Sequence, residues 1–456
     1  MATLTDAQLT TIADNIFAMG DRSKTKLPVP TAHGPTAFKN ALDPIGAQHD
    51  FQDAGIVVVD FTNSASSPDI WLHNEAKAFR IGSASKIAMM LAAVQLRSDV
   101  RQILAMSPKI ISTAAEFDAL YANPKLWAKS KAPRSERMSR IASVPPLISK
   151  IFDFSKSPVD FAGPDPDGRI DTHGQPDVAT QNAIVAKLPP TVPPGGLQEL
   201  AWDHWSDLSF SERLWLAGNR SDNVAATSCV CEIGLPYIKA VQRAYGLVDS
   251  DAKKGMHLFA TRGYGVDPPT SAKPPAVAPP RALSNADVEP LDVEDLWDAG
   301  GKNFIDKRSW VPGSAAALAA YLIALKNDAL VDDNILFNHA THTLRSNLAD
   351  GGPNTISSFF VEDGVKKVPH TKIKRQINKI GILKKSDGAK APLICEFVYL
   401  ETQQVPKPAA PHREFMQYAV AAVGLVSEVD AKPPGHSSSG KAGLLGAAVH
   451  KALLSL

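Results

Sequence analysis

The stretch "FRIGSASKIAMMLAA", residues 79–93, changes from a short apolar run into a segment with helical periodicity. The apolar residues of the second part recur at helical spacing: Ile87, Met90, Leu91 and Val94. The change of period falls at Gly82 and Ser83, which predicts a strand, a turn and a helix in that order. A turn of this kind can present an exposed functional side chain.

Ser83 and Lys86 lie at this junction, three residues apart and on one face of the predicted helix. A serine hydroxyl is a poor nucleophile unless a base lies within hydrogen-bond reach, and a lysine without its proton can be that base. Loss of that proton near neutral pH requires burial or a second cation nearby. The pair indicates nucleophilic catalysis and predicts another positive charge beside Lys86. The structural alternative is a helix N-cap serine beside a solvated lysine.

The spacing alone is weak evidence, because a serine three residues before a lysine recurs elsewhere in the chain. The other pairs are Ser23 with Lys26, Ser250 with Lys253, and Ser438 with Lys441. They lie in charged or Gly/Ser-rich segments with no strand leading into them. Only Ser83 has the predicted strand, turn and helix around it.

Strand-like runs occur early and late in the chain, with helix-like segments between them. The early pair is "DAGIVVVDF" (53–61) and "DIWLHNEAKAFRI" (69–81), joined by a polar turn, which predicts a hairpin. The late runs are "QINKIGILKK", "PLICEFVYLE" and "QYAVAAVGLV". We therefore expect one sheet assembled from both parts of the chain, with an all-helical lobe inserted.

Two further motifs follow the serine and lysine pair in the chain. Ser221-Asp222-Asn223 opens a predicted helix, and Lys379-Ile380-Gly381 lies on a predicted strand. Alone, the first motif is also a good helix N-cap and the second is common in strands. Their occurrence together, in this order and in these contexts, favours an active site.

The three motifs resemble the S-x-x-K, S-D-N and K-T-G signature of serine β-lactamases and penicillin-binding proteins. The resemblance implies an α/β (α+β) fold of the β-lactamase and transpeptidase type, with a five-stranded, mainly antiparallel sheet flanked by helices. We expect a helical extension at 1–50 and one catalytic domain at 51–456. Its sheet subdomain would comprise 51–85 and 305–456. Its helical lobe would comprise 86–304, including a proline-rich loop at 265–292.

The resemblance also implies a role for each motif residue. Ser83 would attack an acyl carbon, and Lys86 would take its proton. Ser221 would pass a proton towards the leaving group, and Asn223 would hold Lys86 and the substrate's amide or carbonyl. Lys379 would supply the second positive charge.

The backbone N–H groups of Ser83 and Ile382 would form the oxyanion hole, and Gly381 would let the substrate approach the strand closely. The family carries Thr or Ser at the position of Ile380, where the hydroxyl helps to bind a carboxylate. The change predicts weaker carboxylate capture and favours an uncharged ester or amide.

Two further sites remain open. Glu289, beside a proline, is a weak candidate for the glutamate that activates a deacylating water, and Glu294 is an equal alternative. Tyr121-Ala122-Asn123 resembles the tyrosine motif of the class C relatives. It ranks below Ser221-Asp222-Asn223 because no predicted helix follows it.

Composition narrows the classes of partner. The 456 residues contain 48 Lys and Arg against 47 Asp and Glu, which gives no electrostatic reason to expect nucleic acid or an anionic membrane. A small-molecule or peptide-like acyl substrate is the better expectation. The three cysteines and twelve scattered histidines predict neither a disulfide framework nor a metal site, and no cofactor is expected.

The first residues lack the pattern of a signal peptide, so we expect a cytoplasmic protein, or a periplasmic or secreted one if a signal was removed. No run approaches the roughly 20 apolar residues that span a bilayer. The oligomeric state stays open.

The expected function is that of a serine hydrolase acting on an ester or amide through an acyl-serine intermediate. The alternatives are a true β-lactamase or D-Ala-D-Ala peptidase, and a non-catalytic binding protein on the same fold. A Ser-His-Asp hydrolase is disfavoured because the chain contains no G-x-S-x-G elbow.

Overall fold

The computed structural model describes most of the predicted elements. The described residues are 26–106, 111–121, 146–164, 178–189, 200–247, 256–258, 312–327, 371–383, 393–405, 413–426 and 441–456, with Thr5, Ala7, Gln8, Thr11, Tyr264 and Leu330. The strands within them are β1 (Gly55–Asp60), β2 (Asp69–His73), β3 (Ala78–Arg80), β4 (Phe152–Asp153), β5 (Asp160–Phe161), β6 (Pro312–Ser314), β7 (Thr371–Leu383), β8 (Leu393–Gln404) and β9 (Phe415–Val426). The α-helices are α1 (Thr36–Gly46), α2 (Lys86–Met106), α3 (Ala114–Tyr121), α4 (Ile148–Ile151), α5 (Val178–Ala186), α6 (Phe210–Asn219), α7 (Asn223–Ile233), α8 (Leu235–Ala244), α9 (Ala315–Lys326) and α10 (Lys441–Leu454).

A five-stranded sheet in the order β2-β1-β9-β8-β7 forms the centre of the molecule. Each neighbouring pair is antiparallel, and Val57 of β1 lies between Leu72 of β2 and Ala421 of β9. The early hairpin and the three late strands thus share one sheet. This confirms the predicted fold class, a mixed α/β fold with a five-stranded antiparallel sheet flanked by helices.

Both faces of the sheet are covered, which explains why β1 reads as a continuous apolar run. Val57 and Val59 belong to a front cluster, which the sheet shares with the helical lobe and α9. Ile56 and Val58 belong to a back cluster, which it shares with α1 and α10. Alternate residues of one strand therefore face two separate cores.

Helix α1 forms part of the back cluster, although it lies within the predicted extension at 1–50. Its buried residues Phe38, Leu42 and Ile45 pack in the same cluster as Leu445 of α10. Helix α1 therefore belongs to the layer of helices that covers the back of the sheet.

The predicted strand 69–81 divides into β2 and β3. Asn74 has a positive φ of 45°, a conformation that asparagine tolerates better than most residues, and its carbonyl accepts from the Lys77 N–H at 3.0 Å. β3 then pairs with β6 in a separate two-stranded sheet. The strand that leads to Ser83 is therefore outside the main sheet.

The predicted all-helical lobe contains a short antiparallel pair, β4 with β5, beside its helices. Helix α6 begins with a capping box of Ser209 and Glu212. Gly234, at φ 88°, separates α7 from α8. The proline-rich loop 265–292 lies outside the described residues.

Among the described helices, none alone is long and apolar enough to cross a membrane, and the bent pair of α7 and α8 meets the criteria only by length and composition.

Candidate active site

The turn that carries Ser83 joins β3 to α2. A 3-10 helix, Gly82–Ser85, precedes α2, and the Ser85 Oγ donates to the Gly82 carbonyl at 2.7 Å. Gly82 has a φ of 49°, which glycine adopts without strain. Ser83 is half-buried, and its hydroxyl makes no hydrogen bond within the described part of the chain. The hydroxyl is thus available to an incoming group.

Strand β7 runs directly against this turn at Gly381. A Cβ at this position would lie 1.9 Å from the Ile81 carbonyl oxygen and 2.8 Å from the Ala84 nitrogen. The glycine is therefore required for contact between the strand and the turn. The predicted approach of substrate to the strand at Gly381 stays a prediction.

The start of α7 presents the second motif. Asp222 is the N-cap, and its two carboxylate oxygens accept from the backbone N–H groups of Ala225 and Leu200, each at 2.7 Å. Because Asp222 provides the cap, Ser221 and Asn223 are free for other contacts. Ser221 has a φ of 60°, a left-handed conformation that strains a non-glycine residue.

Lys86 is fully buried, and its ammonium lies against this segment. Its Nζ donates to the Ser221 carbonyl (2.5 Å), the Asn223 Oδ1 (2.8 Å) and the Asp222 carbonyl (3.2 Å). The ring of Tyr264 lies 5.1 Å from Nζ. Three acceptor-only oxygens and an aromatic face suit a charged ammonium. The geometry thus differs from that of the neutral base assigned to Lys86 from the sequence.

Lys379 approaches the same serine from β7. Its Nζ lies 2.8 Å from the Ser221 Oγ, while the Lys86 Nζ lies 3.5 Å from that oxygen. Lys379 is 1% exposed, and desolvation lowers its pKa to about 7. A second lysine is present where the sequence predicted a cation, but near neutral pH this amine is charged in only part of the molecules.

Ile380 lies on the opposite face of β7 and packs against the back cluster, next to its cross-strand partner Glu396. Its side chain therefore faces away from Lys379, and a role of position 380 in carboxylate binding stays a prediction. Ile382 of β7 lies opposite Ile394 of β8, and β7 is an edge strand of the described sheet. Its N–H in an oxyanion hole stays a prediction.

The remaining candidates fall largely outside the described residues. Glu289 and Glu294 lie there, as do Ala122 and Asn123 of the competing motif. Within the described part of the chain, no group of three or more His, Cys, Asp or Glu residues could hold a metal ion. Cys229, Cys231 and Cys395 are buried and form no disulfide with one another.

Sequence reasoning missed Tyr264. Its ring contacts Lys86, and its backbone N–H donates to the Thr227 Oγ1 at 3.1 Å. The surrounding "TRGYGVDPP" has no periodicity that would place this ring in a site. Two flanking glycines are the sole local feature, and they indicate only a turn.

No protein-family model and no curated protein sequence matches this chain. Several solved structures do match, and those named here are beta-lactamases, the family that the three motifs resemble. One is a beta-lactamase from Desulfarculus baarsii DSM 2075 (11% identity, 92% of this chain, 97% of that chain, TM-score 0.36). Another is a beta-lactamase from Chitinophaga pinensis DSM 2588 (9% identity, 92% of this chain, 98% of that chain, TM-score 0.40). A third is an ancestral class A beta-lactamase (13% identity, 91% of this chain, 98% of that chain, TM-score 0.37). Because these TM-scores are below 0.5, the fold and the site rest on the sheet order and contacts described above.

Proposed function

We propose that this protein is a serine hydrolase that acts on an ester or amide through an acyl intermediate on Ser83. The observation that carries the proposal is the meeting of both lysines at Ser221, whose hydroxyl lies 2.8 Å from the Lys379 Nζ and 3.5 Å from that of Lys86. The turn that carries Ser83 runs into the helix that begins with Lys86, and it touches β7 at Gly381. The turn that carries Ser83 therefore adjoins both the helix that carries Lys86 and the strand that carries Lys379.

The proposed chemistry is acyl transfer to serine. The Ser83 oxygen attacks the carbonyl carbon and gives its proton to a basic amine of the site. The leaving group then takes up a proton. Positive charge buried near the developing oxyanion stabilises the transition state more than it would in water. The occupant we propose is a small-molecule or peptide-like acyl compound.

The narrower alternatives are a β-lactamase and a D-Ala-D-Ala peptidase. Both need a site for the substrate's carboxylate. Ile380 lacks the hydroxyl expected for that purpose and packs against the back cluster. An ester or amide without an obligatory carboxylate therefore remains the preferred substrate class.

A non-catalytic binding protein is the second candidate. The observation in its favour is that the Ser83 hydroxyl makes no hydrogen bond to either lysine within the described residues. Catalytic hydrogen bonds are often long in ligand-free structures and tighten when substrate binds, so this candidate ranks second.

The test is covalent labelling of the full chain with a fluorophosphonate probe and, separately, with a penicillin. We expect one adduct by intact-mass measurement, mapped to Ser83, and complete loss of it in Ser83→Ala. The matched control is Ser206→Ala, which changes an exposed serine outside the site. A folded wild-type chain that reacts with neither probe would contradict the hydrolase and favour the binding protein.

A further inference from the structure

The two lysines of the site have different surroundings. Lys86 donates to the Ser221 and Asp222 carbonyls and to the Asn223 Oδ1. These oxygens can only accept hydrogen bonds, and an ammonium has three N–H groups to offer them. A neutral amine has only two N–H groups, so one of these three oxygens would face the nitrogen lone pair and lose its hydrogen bond. The Tyr264 ring also favours the charged form.

Lys379 has the opposite surroundings. Its close partner is the Ser221 hydroxyl at 2.8 Å, which can donate as well as accept, and the Ile380 carbonyl lies at 3.5 Å. No carboxylate pairs with its Nζ among the described residues. A neutral Lys379 can therefore accept the proton of the Ser221 hydroxyl without losing a strong contact.

We propose that Lys379 accepts the proton that Ser83 loses, through the hydroxyl of Ser221, while Lys86 stays protonated and stabilises negative charge. This reverses the roles that the sequence assigned to the two lysines. The inference rests on the proposed hydrolase function.

The proton balance of the step is complete. The Ser83 oxygen forms its bond to the acyl carbon, and its proton passes to the Ser221 Oγ as the Ser221 proton passes to the Lys379 Nζ. The resulting ammonium returns a proton through Ser221 to the leaving group when the bond between that group and the acyl carbon breaks. Lys379 ends neutral, and neither an oxidant nor a metal is needed.

Burial supports this assignment. Desolvation lowers the pKa of Lys379 to about 7, so near neutral pH a large fraction of the amine can accept a proton. Few other titratable groups lie near it among the described residues. Lys86 shares Ser221 with it, and Tyr264 lies beyond Lys86. Cys395 faces the front cluster from β8, and desolvation raises its pKa to about 12, so its thiol stays neutral.

The rate test follows Ser83 labelling by the probe as a function of pH. In the wild type the rate should rise through an inflection near pH 7, as Lys379 loses its proton. In Lys379→Met we expect at least about a 100-fold slower rate without that inflection, since a general base contributes 10²- to 10⁴-fold. The matched control is Lys372→Met, an exposed lysine on the same strand, which should keep the wild-type rate and profile.

A second measurement does not depend on activity. In protein labelled with 15N-lysine, the side-chain signal that titrates near pH 7 should disappear in Lys379→Met and persist in Lys86→Met. If it disappears in Lys86→Met instead, or if Lys379→Met is labelled as fast as the wild type, the assignment is wrong while the hydrolase stands. A wild type that no probe labels contradicts the hydrolase, and the titration then still identifies the lysine that loses its proton.

Discussion

Ser221 presents two oxygen atoms to two lysines because its backbone is left-handed. At a φ of 60°, its carbonyl accepts from Lys86 while its hydroxyl contacts Lys379. Such a conformation costs about 1–3 kcal/mol in a non-glycine residue. The next residue, Asp222, is fixed at both carboxylate oxygens, which holds the segment in place. Strain of this kind concentrates at functional sites, and here it lies at the junction of the three motifs.

Replacement of Lys379 by methionine should stabilise the fold. The unfolded chain keeps the lysine proton up to its ordinary pKa of 10.5, whereas the folded protein releases it at about 7. Between these pH values the unfolded state binds more protons. Burial of Lys379 therefore costs no protonation free energy above pH 10.5, and its cost to folding grows as the pH falls to about 7. The shift in the Lys379 pKa costs the folded state about 1.4 kcal/mol per pKa unit, and loss of the Ser221 hydrogen bond removes about 1 kcal/mol of stability. The free energy of unfolding of Lys379→Met should therefore exceed that of the wild type by up to about 4 kcal/mol at neutral pH.

Urea unfolding of both proteins at several pH values measures this gain. The difference in unfolding free energy should shrink as the pH rises towards 10.5, above which both states leave the lysine neutral. A difference that stays constant with pH would mean that Lys379 keeps an ordinary pKa in the folded protein.

The resemblance of the three motifs to a known family, rather than the spacing of any one of them, singled out the residues that meet: Lys86, Ser221, Asn223 and Lys379. The charge state of each lysine could not be predicted in the same way. It depends on acceptors and burial supplied by segments far apart in sequence, such as the Tyr264 ring. The packing contacts of Gly381 and Ile380 also escaped sequence reasoning, since they depend on which backbone or cluster packs on each face of β7.

At the scale of elements, β7 packs against both hydrophobic clusters, one on each face of the sheet. Lys379 and Ile377 lie on the face of the front cluster, and Ile380 and Ile373 lie on the face of the back cluster. Because side chains alternate along a strand, a shift of one residue would move the lysine out of the site. The contact between Gly381 and the Ile81 backbone helps to hold this register.

Gly381→Ala should therefore damage the site as well as the fold. The new Cβ meets backbone atoms at 1.9 and 2.8 Å, so either the strand or the turn must move. We expect a loss of about 3 kcal/mol in unfolding free energy, from overpacking, and about 100-fold slower probe labelling from displacement of Ser83. Urea unfolding and the labelling rate measure the two effects.

The matched control is Gly46→Ala at the end of α1. There the three atoms nearest to the added Cβ belong to the half-buried ring of His73, at 2.7–3.1 Å, and a side chain can shift more easily than the backbone that faces Gly381. This variant should keep the wild-type labelling rate. Equal rates for the two glycine variants would show that the contact at Gly381 does not position the nucleophile.

At the scale of the whole molecule, the back cluster supports the sheet from the side opposite the site. Leu445 of α10 is fully buried there, together with Phe38 of α1 and Val58 of β1. The sequence predicted the strands from their periodicity. It did not predict that α1 packs beside α10, since that pairing joins segments from opposite ends of the sequence.

Leu445→Ala should lower stability without changing the chemistry. A leucine cut back to alanine in a packed core costs about 2–5 kcal/mol, and the cavity would lie behind the sheet. We expect this loss in urea unfolding, and labelling of Ser83 at the wild-type rate under native conditions. A much slower rate in the folded variant would mean that the back cluster also positions Lys379 or Ser83.

The position of β1 between β2 and β9 has a consequence for biosynthesis. Gly55 pairs with Val423, so the apolar strand made early at the ribosome waits for a partner translated near the end of this sequence. Until then it presents an open hydrogen-bonding edge of the kind that drives aggregation and recruits chaperones. Closure of such a long-range pair is also slow. The lobe between them has time to fold first, so the nascent polypeptide completes its central sheet only after β9 has been translated.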